Sequence, residues 1–167
     1  APAAVAALRP ALVETATRWM QDATEERRWI IRHALRSAVK RGESGALGLL
    51  GFGEAARVSV EKVHIAPQRP TIGSSVAIAC EIANRASLAQ RLLVDLRVHY
   101  VKANGVQRPK VFKLKQVELA PRETAPVRKT LSLDQLTTRT HYPGRHAVEV
   151  LINGQAYPLG TFELTDR

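Results

Sequence analysis

Leu92-Leu-Val-Asp-Leu-Arg-Val-His-Tyr100 alternates apolar and polar side chains with a period of two. Leu92, Val94, Leu96, Val98 and Tyr100 fall on one side of an extended chain, with Arg91, Asp95, Arg97 and His99 on the other. A helix, with its repeat of 3.6, would scatter the apolar set around its circumference. A strand with one apolar face needs a second layer to cover it. Upstream, Val76, Ile78, Cys80 and Ile82 repeat the pattern. Downstream, Val148, Val150 and Ile152 repeat it and run into Asn153-Gly154, a two-residue hairpin signal.

Turn residues break the chain at Pro67–Gly73, Asn84–Ser87, Asn104–Pro109, Pro121–Glu123 and His141–Gly144. The spacing predicts seven strands, over 58–65, 75–84, 90–102, 110–119, 125–133, 145–152 and 157–164. Seven short strands of this kind predict a mainly β fold, an immunoglobulin-like Greek-key sandwich. The paired cysteines and core tryptophan of antibody domains are missing, so only the architecture follows.

Before residue 53 the period is helical. Pro10 suits the first turn of a helix running to Gln21. Asp22-Ala23-Thr24-Glu25 has capping-box spacing, and a second helix is expected from Thr24 to Arg41, ending at Gly42. Trp29, Ile30, Ala34, Leu35, Ala38 and Val39 form its apolar stripe, while Arg28, Arg32, Arg36 and Lys40 form a basic ridge at i, i+4 spacing. A short third helix is expected over 44–50. Two such helices resemble one unit of a solenoid, which cannot bury its own faces. The division is therefore 1–53 helical and 54–167 sandwich, with self-association through the exposed helical faces as an expectation.

The 167 residues carry a net charge of +10, which favours polyanionic partners. A single cysteine, Cys80, rules out a disulfide within the chain and suits a reducing, cytoplasmic setting. No apolar run approaches the roughly 18 residues of a membrane span, so no membrane partner is expected. No basic region precedes the apolar start Ala1–Leu8, which argues against a signal peptide. Because there is no initiator Met, the expectation is a fragment or processed product.

Three basic groupings are candidate DNA contacts. The first is Tyr100–Lys115, where Lys102, Arg108, Lys110, Lys113 and Lys115 occur without one acid around the Asn104-Gly105 turn. Such a basic hairpin suits phosphate neutralisation, but lysines on outer strands also protect sheet edges. Lys113 and Lys115 are expected on one strand face, Phe112 and Leu114 on the other. The second is Thr137–His146, with Arg139, His141 and Arg145; its Tyr142 can stack on a base or anchor a sandwich corner. The third is the helical ridge of Arg32, Arg36 and Lys40, which is either a phosphate track or a solvated face.

Enzyme signals are poor. No phosphate-binding loop, nucleophile elbow or HExxH motif is present. The histidines His33, His64, His99, His141 and His146 are scattered, so neither a metal site nor a cofactor is expected. Asp95 reads as an ion-pair partner and Cys80 as a buried, inert thiol.

Arg28–Phe52 resembles the last repeat of the HEAT-like DNA alkylation-repair proteins. Val94–Gly105, Lys110–Lys115 and Thr137–Gly154 are similar to the C-terminal immunoglobulin-like domain of the AlkC type. That resemblance implies a DNA glycosylase removing N3-alkylated bases such as 3-methyladenine from double-stranded DNA. A carboxylate would stabilise the oxocarbenium sugar as the cationic base leaves. The family's catalytic carboxylates belong to repeats that match no position in this chain. The resemblance thus implies a DNA-contact role, no catalytic residue and no activity for these residues alone. The alternative is a protein-interaction sandwich whose charge serves solvation.

Overall fold

The computed structural model describes residues 14–21, 23–35 and 56–166. They belong to two units, which divide at Ala55/Ala56.

In the first unit, residues 14–20 form a helix (α1), and Glu25–Ala34 a second (α2). Thr24 caps α2: its Oγ1 accepts the amide of Arg27 at 3.3 Å. The cap is thus Thr24, two residues beyond the Asp22 of the expected capping box; Asp22 itself lies outside the described residues. Hydrogen bonds from its own backbone and from Thr24 hold the Glu26 carboxyl below its ordinary pKa. The described helix runs Glu25–Ala34, and residues 36–41 of the expected run, like 44–50, lie outside the described residues. The buried stripe also differs from expectation. Ile31 and Leu35 are buried, whereas Trp29 is 64% exposed and Ile30 54%. Ile31 and Leu35 are one turn apart and share a face; Trp29 lies nearly opposite, stacked on His33 at 5.0 Å.

The second unit has all seven expected strands: β1 Val58–Ala66, β2 Ser75–Asn84, β3 Gln90–Val101, β4 Gln107–Leu119, β5 Thr124–Ser132, β6 Gly144–Ile152 and β7 Gln155–Leu164. They form two antiparallel sheets, ordered β1-β2-β5 and β4-β3-β6-β7. β4 starts three residues before the expected 110 and runs through Pro109. It pairs only with β3, so the missing N–H of Pro109 costs no ladder bond on its open side.

The period-two residues make the core. Val76 and Ile78 of β2 and Leu131 of β5 pack with Leu96, Val98 and Tyr100 of β3, Val148 of β6 and Phe162 of β7. Cys80, Ile82, Leu92, Val94, Val150 and Ile152 continue the layer. Each such side chain taken from water contributes about 1.5–3 kcal/mol. Two asparagines fasten the ends. Asn84, 0% exposed, donates to the carbonyls of Leu88, Leu119 and Ala120 and accepts from the Ala86 amide. Asn153, at φ 49°, forms the β6–β7 turn with Gly154 and exchanges hydrogen bonds with the Leu93 backbone.

A bulge in β4 corrects one expectation. Val94 pairs with Lys115 and Asp95 with Lys113, leaving Leu114 as the extra residue. Lys115 thereby turns to the core side, opposite buried Val94, and its ammonium donates to the Pro126 carbonyl. Lys113 and Lys115 do not share a face.

Candidate nucleic-acid interface

The β3–β4 hairpin and the β5–β6 connection meet at one end of the two sheets. β3 delivers Tyr100 and then Lys102. The turn closes with the Gly105 amide donating to Lys102 O at 2.8 Å and the Lys102 amide to Val106 O at 2.9 Å. Gly105 supplies the left-handed conformation, φ 77°, that this turn requires. Asn104 Oδ1 accepts the Val106 amide at 3.1 Å, so Asn104 shapes the turn. β4 returns with Arg108, Pro109 and Lys110.

The β5–β6 connection is held at two points. Leu133, fully buried, donates its amide to Ser74 O and accepts from the Gly73 amide. Gln135 then clamps the backbone of His141, donating to its carbonyl at 2.8 Å and accepting its amide at 2.7 Å. Inside this clamp Leu136 and Arg139 exchange backbone hydrogen bonds at 2.9 and 3.1 Å. That reversal lays the Arg139 guanidinium 5.5 Å from the centroid of Tyr100 and 5.7 Å from that of Phe112. Lys110 Nζ and Lys129 Nζ lie over the same Phe112 ring, at 5.1 and 5.5 Å.

The result is an open pocket of about 860 Å³. Lys102, Arg108, Lys110 and Arg139 charge it; Thr138 and Thr140 add hydroxyls; Tyr100 and Tyr142 add aromatic wall. No acid lines it. Among the described residues none of its four cations is in an ion pair. Beneath lie His141 and His146. His146 stacks on Phe162 at 4.9 Å and meets Tyr100 edge-on at 5.7 Å. Its Nδ1 donates to Gly144 O at 2.9 Å, which leaves Nε2 to accept from the Val101 amide at 3.4 Å. Burial holds both imidazoles below their ordinary pKa, and for His141 the charges of Arg139, His146 and Lys102 add to the effect. Burial pushes the Tyr100 hydroxyl up, against the pull of Arg139.

The structure thus brings Lys102, Asn104, Arg108, Lys110 and Arg139 to one pocket. Gly105 marks the hairpin tip. Lys113 lies farther along β4, in a different cleft. Arg145 faces away on β6, 3.8 Å from Glu163. The nomination of His141 as a contact is corrected: at 3% exposure its ring lies under the pocket, packed on Tyr100 at 5.5 Å. Tyr142 lines the pocket wall and is partly buried. Arg32 is exposed in the separate helical unit; Arg36 and Lys40 lie outside the described residues. Thr138, Thr140 and the Phe112 platform were not singled out. Only the β5–β6 loop's path to the hairpin reveals them.

Outside the pocket, Glu149 accepts from Arg97 at 2.7 Å and from His99 at 2.9 Å. Burial opposes its ionisation, but these two hydrogen bonds hold its carboxyl below the usual range. Among the described residues no cluster of three His, Cys, Asp or Glu is placed to hold a metal ion. No described helix is long and apolar enough to cross a membrane.

Residues 59–166 match the family model of the YhaZ C-terminal Ig-like domain, and the chain belongs to that family. YhaZ of Bacillus subtilis (strain 168) is 34% identical over 127 residues, covering 76% of this chain and 35% of YhaZ. The alkylpurine DNA glycosylase AlkC of Pseudomonas fluorescens, solved bound to DNA containing an abasic site analog, is 36% identical with a TM-score of 0.84. That match covers 92% of this chain and 42% of AlkC, so the chain spans less than half the length of either relative. A β-glucosidase of Listeria innocua, with gluconolactone, matches 68% of this chain and 17% of its own at 17% identity and a TM-score of 0.55; it shares the fold alone. The chain is thus AlkC- and YhaZ-like.

Proposed function

We propose that this chain is the DNA-holding C-terminal portion of an alkylated-base DNA glycosylase of the AlkC type, and that it contributes no catalytic residue. The observation that carries this is the pocket at the β3–β4 hairpin: four cations outside any described ion pair, one of them, Arg139, stacked over Tyr100 and Phe112. Cations in a pocket that no described acid lines neutralise backbone phosphates, and the Thr138 and Thr140 hydroxyls supply neutral donors to the same oxygens. The DNA in the AlkC structure supports the choice of partner.

Fluorescence anisotropy on duplex DNA carrying an abasic-site analogue, at several salt concentrations, tests the reading. Replacing Lys102, Arg108 and Arg139 together with Gln removes three phosphate contacts, so the slope of log K against log salt becomes shallower by about 2.7. Salt-independent binding, or an unchanged slope in the triple variant, refutes it. On duplex containing 3-methyladenine the chain alone releases no base; measurable release refutes the non-catalytic half.

The sheet order is read as an immunoglobulin-like Greek key and the helical unit as a terminal HEAT-like repeat. Trp19, Trp29 and Ile30 are each more than half exposed there. Exposed apolar side chains of this size support self-association through the helices. Analytical ultracentrifugation then gives a dimer that Trp19→Ser with Ile30→Ser dissociates; a monomer at high concentration refutes it. A cytoplasmic location belongs to the same reading.

A further inference from the structure

Among the described residues β4 and β5 are neighbouring edge strands of the two sheets, and a second cleft of about 450 Å³ lies between them. β4 contributes Lys113 and Lys115, and β5 contributes Arg128 and Lys129. Here too no acid lines the cleft, and none of the four is in an ion pair among the described residues. Two of these cations have a structural role. Lys129 sits at a position of β5 opposite buried Ile78, and its ammonium covers Phe112; the bulge turns Lys115 inward to the Pro126 carbonyl. Inward lysines on open edges prevent strand-to-strand association. That accounts for one lysine per edge. It does not account for Lys113 and Arg128, which are exposed and add charge where it already accumulates.

Phe112 joins this cleft to the hairpin pocket. Its ring carries Lys110 and Arg139 from the pocket and Lys129 from the cleft. We propose that the β4–β5 cleft is a second anion-binding site, taking the sugar–phosphate backbone of the same DNA as it leaves the hairpin pocket; this rests on the DNA-binding reading above. Strand geometry sets the reach. At about 3.3 Å per residue, Arg108 to Lys113 spans roughly 16 Å. With about 3.4 Å of helix axis per phosphate on one strand, that is about five nucleotides, half a turn of duplex.

The test is Lys113→Gln with Arg128→Gln in the full chain, both exposed and both outside the hairpin pocket. Anisotropy is measured on a 20-base-pair duplex. The salt slope becomes shallower by about 1.8, and a fourfold change in salt alters affinity about tenfold less than in the unmodified chain. Lys113→Arg with Arg128→Lys restores the slope. If the hairpin triple variant loses salt dependence while Lys113→Gln/Arg128→Gln keeps it, the second site is refuted and the first stands. If poly-glutamate binding, not DNA binding, depends on Lys113 and Arg128, the cleft takes an acidic protein and the inference is overturned. No DNA binding by the unmodified chain refutes both.

Discussion

Acid should weaken the β unit well before its carboxylates titrate, because two imidazoles are buried under the hairpin pocket. His146 is 0% exposed and His141 3%, and burial holds both below their ordinary pKa. Unfolding releases each to about 6.5. The unfolded chain therefore binds more protons than the folded one below that value. The contribution of each neutral imidazole is complete above pH 6.5 and is lost as pH falls from there toward the folded pKa. Protonation of the unfolded chain limits the cost of each to about 1.4 kcal/mol between pH 7.5 and 5.5, so the pair costs at most about 2.7 kcal/mol. For a unit of this size that ceiling corresponds to a fall in Tm of about 10 °C. Glu61 and Glu149, held below the usual carboxylate range, act in the same direction but only below about pH 4.5. Thermal melts followed by circular dichroism at pH 7.5, 6.5 and 5.5 measure the effect. His146→Gln has nothing to titrate and should make the slope shallower whatever its effect at pH 7.5. A Tm independent of pH over this range, or an unchanged slope in His146→Gln, would refute the reasoning.

Asn84→Ala strands the Leu119 and Ala120 carbonyls and the Ala86 amide together, so urea unfolding should show a loss of about 3 kcal/mol; a loss under 1 kcal/mol contradicts the hub. Two glycines separate strain from crowding. Gly105→Ala meets nothing within 4 Å and should cost about 1 kcal/mol for its φ of 77° alone. Gly144→Ala, at φ 134° and 3.2 Å from Val101 Cγ2, should lower Tm clearly more; equal shifts would contradict this. Burial pushes the Cys80 thiol up to about 11, so a thiol reagent at pH 8 should label it only on unfolding; rapid labelling of the folded chain argues against its core position.

The strands were legible because a half-buried sheet imposes alternation on each strand, and Leu92–Tyr100 obeys it without exception on its core side. Register is not written that way. Nothing in Lys113-Leu-Lys115 announces that Leu114 is extra, yet the bulge sends Lys115 to the opposite face from the one alternation assigns. The charged hairpin was visible as a run of cations, but its partner residues arrive from a loop thirty residues on. Whether a loop histidine is a ligand or a core residue depends on the path of that loop: His141 was misplaced on the surface for want of it. Arg128 and Lys129 sit in an unremarkable strand, and only the pairing order sets them beside β4. In α2, the spacing fits more than one apolar stripe, and the choice between Ile31 and Ile30 depends on what packs against it.

The Gln135 clamp has a kinetic consequence. A loop that must be ordered at each encounter slows association and adds about 0.5–1.5 kcal/mol per side chain immobilised. Here the chain from Leu133 to His141 is tied at both ends, and its arginine already rests on two rings. Most of that ordering has occurred during folding. Cutting the tie with Gln135→Ala would remove no cation, yet it would free the loop that carries Arg139 and, on the DNA-binding proposal, slow the rate at which it finds a phosphate.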